Sequence, residues 1–268
     1  MSLIVNTNVA SLNAQRNLAN TQLAMSRTLS HLSSGLRITS ASDDAAGLAI
    51  SEALKSQIRS TAQAERNSND GISVTQVAEG ALEQVGNLLT RMRELAVESA
   101  NGTLDTNSHT YLNNEFTALR SEIDRISAVT QFNNKNLLDG TLSGGVSLQV
   151  GINNSANDVI SLSISNIGSA VIGSGGASVQ TIGAASIDTQ INSSRAAMGA
   201  IQNRLQVTIA NLSTARENLS AANSRIRDVD VASETAALTR DQILSQAGIA
   251  VLAQANQLPS AALSLLKG

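Results

Sequence analysis

The 268-residue sequence has no cysteine, no tryptophan, one proline (Pro259) and only three aromatic residues, Tyr111, Phe116 and Phe132. Without cysteine there is no disulfide framework, no thiolate zinc site and no thiol nucleophile. A compact globule of this length ordinarily fills its interior with rings, which bury the most area per residue. Here aliphatic side chains must do that work, within a hydrophobic fraction of 42%. Narrow helical packing suits such a supply. Charge is scarce too. Only 15% of residues are charged and the net charge is -3, which leaves no basic field for nucleic acid. So poorly charged a surface hints that something else covers part of it. The stretch from Gln242 to Leu266 carries no charge and is long enough to cross a bilayer. Five Gln and Asn residues and Pro259 interrupt it, so membrane insertion is not expected. The first residues show neither a basic start nor a long apolar run, and a cleaved secretory signal is not expected.

Helical patterns fill both ends of the chain, with Gly/Ser-rich, strand-like sequence between them. Leu18, Met25, Leu29, Leu32 and Leu36 recur at helical spacing, and the pattern stops at Ser33-Ser34-Gly35. Val5, Leu12 and Ala19 line a second face. Ser42-Asp43-Asp44 offers N-cap chemistry for a new helix. Leu48, Leu54 and Ile58 follow. Periodicity is weak from Ile58 to Ile72, sharpens at Leu82, Val85, Leu89, Met92 and Ala96, and breaks at Asn101-Gly102. A further helix carries Leu112, Phe116, Leu119, Ile123 and Ile126. Val146, Leu148 and Val150 then alternate with polar residues, as do Ile160, Leu162 and Ile164. Two period-2 runs across Asn153–Asp158 predict a β-hairpin. Residues 166–183 read as a Gly/Ser-rich surface loop. Ile191, Met198, Leu205, Leu212, Leu219 and Ile226 recur at strict sevens, a coiled-coil seam of about 65 Å if helical throughout. Ala237, Leu244, Val251, Leu258 and Leu265 form another series of sevens. The last segment is apolar on most sides and needs cover that a single chain cannot supply. The expected fold is therefore mainly α: a long antiparallel helical bundle or coiled-coil rod built from both chain ends, with a small β-hairpin in the middle.

No catalytic constellation emerges. His31 lies in an apolar helical pattern and His109 in a polar turn, and neither has a recognisable nucleophile partner. Asp43-Asp44 lacks a third metal ligand and reads as helix capping, as do Asp228 and Asp230. There is no P-loop and no dinucleotide fingerprint. Asn101-Gly102-Thr103 matches a glycosylation sequon, and the Ser and Thr residues from Thr141 to Thr189 could accept sugars. No cofactor and no metal are expected. An enzyme carried on the central loop is disfavoured, since that segment has no His, Glu or Cys.

Three N-terminal strings resemble the start of bacterial flagellins: Ile4-Val5-Asn6-Thr7-Asn8, Leu32-Ser33-Ser34-Gly35-Leu36-Arg37-Ile38, and Asp43-Asp44-Ala45-Ala46-Gly47-Leu48-Ala49-Ile50. Ser245-Gln246-Ala247-Gly248, Val251–Gln257 and Leu263–Leu266 are similar to the flagellin C-terminus. The resemblance implies inner filament-core helices at 1–42 and 231–268, a helical rod with the hairpin at 43–165 and 184–230, and a surface loop at 166–183 in place of an outer domain. It implies a subunit that self-polymerises into a motility filament and is exported unfolded by a flagellar type III pathway to the cell exterior. Filament-core packing falls to Leu18, Met25, Leu29, Leu32, Leu244, Val251, Leu258 and Leu265, and the rod seam to Ile191, Met198, Leu205, Leu212, Leu219 and Ile226. Implied partners are further copies of the chain, hook–filament junction and cap proteins, and an export chaperone at the C-terminal helix. Host recognition by the flagellin-sensing Toll-like receptor is implied by Arg91-Met92-Arg93-Glu94-Leu95-Ala96-Val97, with Arg91, Leu95 and Glu115 as contacts. Thr90 departs from the glutamine common before that string, and the same residues suit contacts between subunits. A junction protein of the same architecture is the competing reading.

Overall fold

The computed structural model describes residues 7–168 and 184–266, with side chains over 7–168 and 189–257. Five helices account for most of it: α1 Val9–Ser34, α2 Ala45–Ser99, α3 Thr106–Val129, α4 Ala184–Arg227 and α5 Val231–Leu266. Among the described residues, four short strands lie between α3 and α4. β1 (Gln131–Phe132) pairs with β2 (Lys135–Asn136), and β3 (Val146–Gln149) with β4 (Val159–Leu162), both antiparallel. The chain divides into two compact units, residues 1–56 with 219–268 and residues 57–218.

Capping side chains set the helix starts. Asn8 accepts from Ser11 N at 3.0 Å, Asp44 from Gly47 N at 2.8 Å, Asp105 from Ser108 N at 2.8 Å and Asp230 from Ala232 N at 3.0 Å. Each meets a donor that the first helical turn would otherwise leave open. Gly35 ends α1 in the left-handed region at φ 72°, its N–H donating to His31 O at 2.9 Å, a backbone state that glycine adopts without steric cost.

In the unit spanning 57–218, the core forms where α2, α3, α4 and the β3–β4 hairpin meet. Leu82, Val85, Leu89, Met92 and Leu95 of α2 pack with Phe116 and Ile123 of α3, Ile191 and Met198 of α4, and Leu162, Ile164 and Ile167. Phe116 is the one aromatic that is fully buried; Phe132 is half-buried and Tyr111 is exposed. The hairpin register sets Val146 opposite Leu162 and Leu148 opposite Ile160, so its apolar residues share the helix-facing side. The β1–β2 turn was not legible from apolar periodicity, because its strands are two residues long. Its signal is Asn133-Asn134, both at positive φ (48° and 60°), the backbone state a two-residue hairpin turn demands.

The weakly periodic stretch of α2 is helical throughout. Thr61, Ala64, Ser68, Gly71, Thr75 and Ala78 are all buried and continue, at heptad spacing, the line that Leu82, Val85, Leu89 and Met92 occupy further on. The seam persists while its residues shrink. The buried hydroxyls return to their own helix, Thr61 to Gln57 O and Ser68 to Ala64 O, each at 2.8 Å, so no donor is lost to the interior. Small residues here admit close neighbours. A Cβ on Gly71 would stand 2.6 Å from Leu148 Cδ1 and 3.2 Å from Leu205 Cδ1.

The rod-seam residues divide by cover. Ile191, Met198 and Leu205 are buried, whereas Leu212, Leu219 and Ile226 are half-buried. Leu205 is the last to be sheltered by the hairpin, through Val150 and Ile160. Further along, Arg216 of α4 pairs with Glu65 of α2 at 2.9 Å. The compact units divide within α2, after Ser56, and within α4, before Leu219. Residues 169–183, most of the expected surface loop, lie outside the described residues. Ile167, at its expected start, is buried and donates its N–H to Leu138 O at 3.1 Å.

Two glycines of α2 should respond oppositely to substitution. Gly80 has open space around a Cβ, so Gly80→Ala should stabilise the full chain by about 0.5–1 kcal/mol through helix propensity. Gly71→Val should destabilise it by about 1–3 kcal/mol by displacing Leu148. Urea unfolding monitored by circular dichroism measures both.

Candidate functional site

The unit formed by the two chain ends is built on a pair of antiparallel helices, α1 and α5. Asn8 Nδ2 donates to Ala255 O and Ser11 Oγ to Asn256 Oδ1, each at 2.7 Å. Leu18 lies over Gly248, and His31 Nδ1 meets Glu234 Oε1 at 3.0 Å. The residues buried between the helices are small: Ser11, Ala14 and Thr28 on α1 and Ala255 on α5. Small side chains let two helices approach closely, but two helices cannot also cover their outer faces.

Several large apolar side chains are consequently left outside. Leu29 is 49% exposed, Leu244 50% and Val251 58%. Leu18, Met25 and Leu32 are half-buried. Leu258 and Leu265 fall outside the described side chains. Leu12, Leu23, Ile243 and Ile249 are also more than half exposed, and these enlarge the set that the leucine spacing singled out. Sequence periodicity found the apolar stripes but could not tell which stripe faced the sister helix.

Where α1 ends, the chain meets the junction between α4 and α5. Leu36 bridges Asp228, Arg37 N donates to Arg227 O at 2.7 Å, and Val229 N donates to Gly35 O at 3.1 Å. Arg37 Nη2 adds a bond to Ile226 O at 2.6 Å. Arg227 reaches Glu52 at 2.5 Å, and that guanidinium holds the Glu52 carboxyl below its usual range. The loop to α2 closes on Asp43, whose Oδ2 accepts from the Thr39 hydroxyl at 2.8 Å, from Ser40 N at 2.9 Å and from Thr39 N at 3.1 Å. These donors, the Thr39 hydroxyl first, keep the Asp43 carboxyl well below the ordinary carboxylate range. Asp43 and Asp44 are thus structural, one closing a turn and the other capping a helix.

The Arg91 string lies on α2 facing α3. Arg91 Nη2 contacts Glu115 Oε1 at 2.8 Å and Nη1 contacts Glu94 Oε2 at 3.0 Å. The two carboxylates, Glu94 first, raise the affinity of Arg91 for its proton. Both partners of the Arg91–Glu115 pair are about half exposed. Exposed ion pairs of this kind contribute little to stability. Leu95 is elsewhere: it is 0% exposed and sits in the α2–α3–α4 core. The structure therefore brings Arg91 and Glu115 together on the surface and turns Leu95 inward. His109 is not in a loop but in the second turn of α3, its Nδ1 3.1 Å from Ser99 Oγ. It ties the end of α2 to the start of α3.

Among the described residues, no group of three or more His, Cys, Asp or Glu side chains could hold a metal ion, and no helix is long and apolar enough to cross a membrane. Thin helical packing, small-residue pairing of the chain ends and apolar faces turned outward define a structural class of protein. The bacterial flagellin N-terminal helical region matches residues 5–143 and the flagellin C-terminal helical region residues 179–266. The chain is 47% identical to a flagellin of Halalkalibacterium halodurans, over 99% of this chain and 100% of that one. It is 41% identical to a flagellin of Bacillus subtilis, over 98% and 99%. It is 40% identical to the flagellar filament 33 kDa core protein of Treponema phagedenis, over 99% and 100%. The chain belongs to the bacterial flagellin family, and its role is structural and filament-forming.

The Asp43 turn should be sensitive to acid in a defined direction. Its folded-state pKa lies below the unfolded value of about 3.9, so its stabilisation is present above that value and is lost as pH falls toward the folded pKa. Asp43→Asn should flatten the acid limb of a stability–pH curve while leaving its form above pH 6 unchanged, as thermal melts across the acidic range would show.

Proposed function

We propose that this chain is the propagating subunit of an extracellular flagellar filament and that α1 and α5 are its inter-subunit core. One observation carries the reading: Leu29, Leu244, Val251 and several other large apolar residues of the two terminal helices are about half or more exposed. Completing the burial of half-exposed residues such as Leu244 and Val251 would contribute roughly 1 kcal/mol each. Summed over two helices, this offsets part of the entropy lost when a subunit is ordered. A face of this kind meets a different face on the next copy, and such heterologous contacts build open helices instead of closed rings. In this proposal residues 1–42 and 231–268 line the filament core, with Leu258 and Leu265 continuing the stripe of Leu244 and Val251. Residues 43–165 and 184–230 form the surrounding rod, and residues 166–183 replace an outer domain. The match to complete flagellins along nearly the whole chain favours propagation over a junction or cap role; junction and cap proteins are then its neighbours at the filament ends.

Export follows in the same proposal. The subunit passes unfolded through a flagellar type III pathway, and a chaperone shields residues 230–268 beforehand, because that segment is apolar on most sides. Recognition by the host Toll-like receptor rests on the exposed Arg91–Glu115 pair, with Leu95 supporting the surface from beneath. The same pair is suited to contacts between neighbouring subunits, so assembly would conceal it.

The double substitution Leu244→Glu and Val251→Glu tests assembly. Both positions are exposed in the single chain, so each change should alter monomer stability by no more than about 0.5 kcal/mol. Seeded elongation, followed by light scattering and negative-stain microscopy, should be lost. Filaments growing at the normal rate from a folded double variant would refute the proposal. Separately, monomeric Arg91→Ala should signal through the receptor less than the parent monomer in a reporter-cell assay. An undiminished response would remove Arg91 from that role.

A further inference from the structure

We infer that Asn101 is a site of spontaneous deamidation, at an exposed turn just beyond the end of α2. Asn101-Gly102 is the one Asn-Gly pair in the sequence. It falls between Ser99, where α2 ends, and Thr106, where α3 begins. Asn101, Gly102 and Thr103 are all exposed.

The reaction requires the backbone nitrogen of the following residue to reach Cγ of the asparagine. Glycine leaves that approach open because it has no Cβ. Among the described residues, no acceptor holds the Gly102 N–H, so no hydrogen bond must break first. The amide oxygen is already placed: Thr103 N donates to Asn101 Oδ1 at 3.3 Å. That oxygen gains negative charge when Cγ becomes tetrahedral, and a donor aimed at developing charge favours the step.

The chemistry balances without an oxidant or a cofactor. Gly102 N bonds to Asn101 Cγ, the Cγ–Nδ2 bond breaks, and Nδ2 departs as ammonia with the proton from Gly102 N. One water then opens the five-membered imide. Opening at Cγ gives aspartate; opening at the main-chain carbonyl gives isoaspartate, which carries an extra methylene in the backbone. Either product sets a carboxylate near the C-terminal end of α2, already the negative pole of that helix, and close in sequence to the Asp105 cap.

Other candidates are restrained. Asn67, Asn107, Asn192 and Asn223 precede serine, but they lie inside helices, where the serine N–H belongs to the helical ladder or, at Ser108, donates to the Asp105 cap at 2.8 Å. Asp70-Gly71, able to form the same ring, is inside α2 with Gly71 buried. Asp139-Gly140 is in a turn, but the Asp139 carboxylate accepts from Thr141 N at 2.9 Å and from the Thr141 hydroxyl at 2.7 Å. Asn154-Ser155 is exposed in the hairpin loop and serves as an internal comparison, since serine obstructs the attack that glycine permits.

The test uses the purified full-length chain held at mildly alkaline pH, with peptide mapping by mass spectrometry over time. The Asn101 peptide should gain the mass of an amide converted to an acid before any other, and split into two chromatographic isomers. The intact chain should shift by one negative charge on isoelectric focusing. Gly102→Ala should suppress the shift, and because a Cβ there meets nothing within 4 Å the variant should keep the parent circular dichroism spectrum. Asn101→Gln, which would need a larger ring, should also suppress it. The inference is overturned if Asn101 converts no faster than Asn154, or if folded Gly102→Ala converts at the parent rate. Neither outcome depends on filament assembly.

Discussion

Two helices packed on each other can bury only the faces they share. That geometric limit governs the unit formed by the chain ends. Its seam is made of Ser11, Ala14, Thr28 and Ala255, whose side chains fit between closely spaced helices. Leu12, Leu23, Ile243, Ile249 and Val251 take the outer faces, each more than half exposed. In the unit spanning 57–218 the same limit is met differently. There α3 and the hairpin supply additional cover, and the large residues of α2 and α4 turn inward.

The transition between these solutions is written along α2. From Leu82 onward its buried line is Leu, Val and Met; before Leu82 it is Thr, Ala, Ser and Gly. The helix does not change, but the space available beside it does. Gly71 marks a close approach, where Leu148 of the hairpin and Leu205 of α4 both lie against the helix. A chain nearly free of aromatic rings can be built this way because its interior is never more than a few side chains deep.

Much of this was legible in the sequence. Leu82, Val85, Leu89 and Met92 announced the buried face of α2, and Ile191, Met198 and Leu205 that of α4. Alternation in Val146–Val150 and Ile160–Ile164 gave the hairpin. Capping residues gave the helix starts at Ala45 and Val231. Less was legible wherever small residues form the contact. Ala, Ser and Gly carry little periodic signal, so neither the early seam of α2 nor the α1–α5 seam stood out. Leu95 shows a different gap. Its place in a surface-associated string said nothing of its direction, and the 3.6-residue turn puts it in line with Leu82, Leu89 and Met92 rather than with Arg91. The Asn133-Asn134 turn was missed because strands of two residues leave no alternation to detect.

The bridge between Leu36 and Asp228 joins positions separated by most of the polypeptide, and the bond from Asn8 to Ala255 spans more still. Contacts so remote in sequence close slowly, since a long loop must be ordered before any reward is gained. A chain emerging from one end through a narrow conduit would therefore leave its leading helix without a mate until the trailing helix followed. In such a passage, completion of this unit would wait for the second of its two helices.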